Sequence, residues 1–64
     1  MREYWHDFSH PQVSQPLRLP VEADTSCLAR QGAWAELERM IREVPGLPAS
    51  GWSLIRQDVR PEPL

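Results

Sequence analysis

Apolar and polar positions along this chain change period twice, and the changes mark its elements. In Gln15–Glu22, Leu17, Leu19 and Val21 alternate with Arg18, Pro20 and Glu22. Alternation of this kind is the signature of a half-buried strand. Pro20 has no N–H to give to a ladder, which assigns this strand to a sheet edge. From Ala33 the period lengthens. Ala33, Trp34, Leu37, Met40, Ile41 and Val44 fall on one helical face, while Glu36, Glu38, Arg39, Arg42 and Glu43 fall on the other. Asp24, Thr25 and Ser26 are N-cap candidates, and Pro45-Gly46 ends the helix. Leu28 is out of phase with the stripe and Gly32 is a poor interior residue, so either one helix runs from about Ser26 with a bend near Gly32, which is the favoured expectation, or a short turn precedes a main helix starting at Gly32. Glu38 and Arg42 stand in the favourable i, i+4 order.

After the connection Gly46–Gly51, the stretch Trp52–Arg60 reads as a second strand. Trp52 and Leu54 would point one way and Ile55 and Val59 the other, unless a bulge near Arg56–Asp58 reconciles them. Pro61 and Pro63 stop the strand. The expected fold is α+β: one amphipathic helix packed on a small two- or three-stranded sheet with a strand-helix-strand core. Residues 1–12 read as an aromatic N-terminal arm able to add a further strand, 13–61 as the domain and 62–64 as a tail. A sheet this small leaves one face and an edge uncovered, which suits strand addition or a homodimer through the open edge.

Length and composition narrow the function classes. The chain has 64 residues, one domain at most. Domains of this size bury only roughly 60% of the surface the unfolded chain exposes. Cys27 is the lone cysteine, so no internal disulfide forms; this fits a reducing, cytoplasmic setting. MREYWHDF has no apolar run behind its early charge, unlike a signal peptide. No stretch reaches the roughly 20 apolar residues of a membrane span. The net charge is −2 and all seven basic residues are arginine. That balance argues against nonspecific nucleic-acid binding. The absence of lysine and asparagine points to a GC-rich genome.

Candidate chemistry is sparse. His6 and His10 are four apart, with Asp7 and Cys27 as conceivable company, but a structural zinc wants four ligands and the bland reading is two surface histidines. Cys27 at a helix start could carry a lowered thiol pKa, yet nothing in the sequence sets a histidine beside it as a base. No glycine-rich phosphate loop occurs. The expectation is no catalysis, no metal and no cofactor. Trp34 and Trp52 read as core. Tyr4, Trp5 and Phe8 either fold back on the sheet or stand out as interface anchors. Arg56 and Arg60 suit planar recognition of carboxylates, and Glu36 and Glu43 an acidic patch against a basic partner. These six residues, Tyr4, Trp5, Glu36, Glu43, Arg56 and Arg60, form the candidate partner-binding set. Base stacking on the sheet would need aromatics in two central strands, and Trp52 alone qualifies on this reading.

PASGWSLIRQDVRPEP, following a strand and an acid-bearing amphipathic helix, resembles the end of the small inhibitors of host RNA polymerase made by lytic tailed phages. The matching positions are Pro48, Ala49, Gly51, Trp52, Arg56 and Arg60-Pro61; Ser50 and Gln57-Asp58 are additions to the pattern. The resemblance covers the closing third. It implies one helix against a small antiparallel sheet, a polymerase partner in the host cytoplasm, and contact through Arg56 and Arg60. The function expected is a small non-enzymatic inhibitor, phage- or mobile-element-encoded, that binds a bacterial host protein. The other classes are an accessory subunit of a bacterial complex and a nucleic-acid-binding regulator.

Overall fold

A computed structural model describes residues 1–60. The expected stop at Pro61 and the tail at 62–64 lie outside the described residues. The elements are β1 (Arg2–Ser9), β2 (Leu17–Ala23), α1 (Ser26–Glu43) and β3 (Ser53–Val59). They form an α+β fold: one helix on a three-stranded antiparallel sheet of order β2-β1-β3. No helix among the described residues is long and apolar enough to cross a membrane.

The middle strand is the N-terminal one. The stretch expected as an arm supplies the further strand, and that strand holds the centre of the sheet. Tyr4, His6 and Phe8 point toward the helix and are buried, while Trp5 and Asp7 point away. Phe8 is fully buried with Ala33, Leu37 and Leu19 around it; Met40, Ile41, Trp52 and Leu54 pack against that cluster. Tyr4, Ala23 and Ala29 make a second, smaller cluster at the other end. Burying a side chain such as Phe8 stabilises by about 1.5–3 kcal/mol, which matters greatly in a domain this small.

The helix is unbroken from Ser26 to Glu43. Of the three capping candidates, Thr25 is the cap: its Oγ1 accepts from the Leu28 N–H at 3.2 Å. The Val44 N–H closes the last turn on the Met40 carbonyl. Gly32 has a packing reason. A Cβ there would stand 3.1 Å from Val21 Cγ1, so the helix crosses β2 closely at that point. The expected stripe is too wide. The buried line is Ala29, Ala33 and Leu37; Trp34, expected in the core, is exposed on the flank in an edge-to-face contact with Phe8, and Val44 is exposed. The helical ion pairs seen centre on Arg39, which meets Glu36 and Glu43.

The bulge exists and falls just before the expected stretch. Phe8 pairs with Leu54 but Asp7 with Arg56, leaving Ile55 as the extra residue. This slip puts Leu54, Gln57 and Val59 on the helix side and Arg56 and Asp58 on the open side. β2 is an edge strand, as Pro20 requires. β3 is the other edge. The helix lies over β2 and β1, so β3 has little cover, and Ile55 and Val59 remain exposed.

Candidate protein-binding surface

The face of the sheet turned from the helix is built by alternation alone. Its residues are Glu3, Trp5 and Asp7 on β1, Arg18, Pro20 and Glu22 on β2, and Arg56 and Asp58 on β3. Trp5 occupies the centre, paired with Pro20 on one side and Asp58 on the other. The Arg18 guanidinium carbon stands over the Trp5 ring at 5.4 Å from its centroid. From there Arg18 reaches Asp7 at 3.3 Å and Asp58 at 3.6 Å. Asp58 also takes Arg56 at 2.7 Å. Arg60 pairs with Glu3 at 3.6 Å. Arg18, Asp7, Asp58 and Arg56 thus form one charge network over all three strands beside a half-buried tryptophan, and Arg60–Glu3 is a separate pair on the same face.

The six sequence-derived binding residues divide between layers. Trp5, Arg56 and Arg60 share the open face. Glu36 and Glu43 lie on the helix, both tied to Arg39. Arg39 holds the Glu36 carboxyl below its ordinary value, chiefly by direct hydrogen bonding. Tyr4 is 8% exposed under the helix, so it is core and not an exposed anchor. Sequence reasoning missed Arg18, Asp7 and Glu3 as charged partners on the open face. Alternation places Arg18 on the outward side of β2, but its partners become visible only with the register of β1 against both neighbours.

The histidines are also corrected. His6 is not at the surface but fully buried. Its Nδ1 lies 3.3 Å from the Leu19 carbonyl and its Nε2 3.0 Å from Gln57 Nε2. Gln57 gives its other amide hydrogen to the Ser26 carbonyl at 2.9 Å. This fixes the tautomer: Nδ1–H donates to Leu19 and Nε2 accepts from Gln57. His10 instead braces the turn before β3. Its Nδ1 accepts from the Gln12 N–H, its Nε2 donates to the Ser50 carbonyl at 2.7 Å, and its ring packs on Trp52. The two rings therefore serve separate structural jobs. Among the described residues, no three His, Cys, Asp or Glu side chains gather into a group able to hold a metal. Cys27 is exposed at the first turn of α1.

A shallow cavity of about 150 Å³ lies between α1 and the turn, lined by Trp34, Leu37, Ile41 and Trp52 together with Ala49–Gly51. It marks where the helix stops short of β3. Comparison with protein-family models, curated proteins and solved structures finds no match for this chain.

Proposed function

We propose that this chain is a small non-enzymatic inhibitor that binds a bacterial host protein through the open face of its sheet. The observation that carries the reading is Trp5, set at the centre of that face under Arg18 and ringed by Arg56, Arg60, Asp7, Asp58 and Glu3. Tryptophan and arginine are the residues that most often supply interface energy. The surrounding mixed charge gives orientation and speed of encounter. A nucleic acid would meet three arginines but also four carboxylates, Glu3, Asp7, Glu22 and Asp58, and one aromatic in the central strand, which favours a protein partner.

RNA polymerase is the specific target proposed. The residues that carry the resemblance to the phage inhibitors lie in the turn at Pro48–Gly51, at Trp52 just before β3, and at Arg56 and Arg60 on the open face. The setting would be the host cytoplasm, and inhibition would be steric or conformational. The test is binding to purified bacterial RNA polymerase by surface plasmon resonance. Binding should occur, slow as salt rises, and weaken at least tenfold with Arg56→Glu and Arg60→Glu together. Absence of binding would remove the polymerase; binding unchanged by the double variant would remove this face.

A further inference from the structure

The two edges of this sheet differ in a way that selects one of them for pairing. In an antiparallel ladder, alternate residues direct both backbone groups to the same neighbour. The Arg60 N–H donates to the Glu3 carbonyl at 2.8 Å, so Glu3, Trp5 and Asp7 bond toward β3. Tyr4, His6 and Phe8 then bond toward β2, and their partners Val21, Leu19 and Leu17 bond inward. Arg18, Pro20 and Glu22 therefore direct their backbone outward. Pro20 stands where an added strand would need an N–H, so the β2 edge is blocked at its middle. On β3, by the same alternation, Gln57 and Val59 direct their N–H and carbonyl outward. That edge lacks a proline within Ser53–Val59.

We propose that the free edge of β3 pairs antiparallel with β3 of a second copy of this chain, about a two-fold axis through Gln57. In that register Arg56 of each chain faces the partner's Asp58, and the seam is built on Arg56–Val59, the regular part of β3 beyond the bulge at Ile55. The sequence Arg56-Gln57-Asp58 is self-complementary about its centre. The neighbouring registers fail. Slipping one way sets Arg56 against itself; slipping the other sets Asp58 against itself and Arg56 against Arg60. Like charges directly opposite are destabilising. Odd registers set outward groups against inward ones and turn the side chains to the wrong faces.

Three further features fit. Arg56 and Asp58 belong to inward-bonded positions on β3, so across the new seam they form the closer, non-hydrogen-bonded pair type. The Gln57 side chain is already committed to His6 and Ser26, leaving its backbone for the axis. Ile55 and Val59, 56% and 46% exposed, are the large apolar residues of β3 left open to water, and they flank the seam at its two ends. The product is a six-stranded sheet with both helices on one side and the two open faces joined on the other. This inference does not depend on the identity of any target.

The test is sedimentation equilibrium on the purified protein and on two variants, Arg56→Asp and Asp58→Arg. Arg56 is exposed and Asp58 is half-buried on the open face, and circular dichroism verifies that each variant keeps the fold. The wild type should dimerise across a concentration series. Each variant alone should shift the dissociation constant upward at least tenfold, because like charges now face each other. An equimolar mixture of the two variants should recover a dimer, since all-acidic then meets all-basic. A monomeric wild type, variants that dimerise as well as the wild type, or a mixture that does not recover would each overturn the proposal.

Discussion

Gln57 and His6, 51 residues apart in sequence, meet under the start of the helix, with Gln57 Nε2 3.0 Å from His6 Nε2. The same amide group bonds the Ser26 carbonyl. This one side chain joins β3, β1 and the first turn of α1, where apolar cover over β3 is thin. Among the described residues no buried side-chain nitrogen or oxygen is left without a partner, and for His6 that holds because of Gln57 and Leu19.

Replacing Gln57 with Leu keeps the volume but withdraws the donor from a fully buried imidazole. The expected loss is about 1–3 kcal/mol, the usual cost of an unsatisfied buried polar group. Urea unfolding of the two proteins measures it. A variant as stable as the wild type would mean that His6 finds another partner.

Much of the fold is legible in the chain. The alternation of Leu17, Leu19 and Val21, the edge position required by Pro20, a cap among Asp24, Thr25 and Ser26, and a bulge in the closing strand, expected at Arg56–Asp58 and found at Ile55, all follow from local rules. The central strand is harder to see. Tyr4, His6 and Phe8 alternate with Trp5 and Asp7, but the pattern reads as a strand only if a histidine counts as buried. Its burial depends on partners 13 and 51 residues away, which no local window contains. The open face was half legible for the same reason: Arg56 and Arg60 stand out in sequence, while Arg18 joins them only across β1.

Gly51 has a φ of 93°, and a Cβ added there would meet His10 Nε2 at 2.9 Å. Gly46 has a φ of 92° with open space around it. Both replacements by Ala incur the left-handed backbone strain of about 1–2 kcal/mol. Gly51→Ala must also displace His10 from Ser50, so it should lower the melting temperature more than Gly46→Ala. Equal shifts would show that the His10 brace contributes nothing.

Phe8→Ala removes the largest fully buried side chain and the edge-to-face contact with Trp34, at an expected cost of about 3–5 kcal/mol. A domain of this size has little more than that in reserve. The variant should lose its cooperative thermal transition in circular dichroism, whereas Val59→Ala, at an exposed position, should keep it.

Glu36 should titrate below the ordinary carboxylate range because Arg39 bonds it. A depressed folded-state value means the contact favours the fold above the unfolded-state value and is lost as pH falls through the folded one. Both groups are solvent-exposed, so the readout is the titration and not stability. In an NMR pH series the Glu36 carboxyl midpoint should rise in Arg39→Ala; an unmoved midpoint would contradict the pairing.

The central claim is that Trp5 and its charged ring bind a protein. The most direct measurement is a nuclease-treated pull-down from a GC-rich bacterial lysate, run in parallel with the wild type and a Trp5→Ala/Arg60→Glu variant of unchanged circular dichroism. The account predicts one dominant host protein at near-equal amount on the wild type and its loss on the variant. An empty wild-type lane, or equal retention by both, would contradict it.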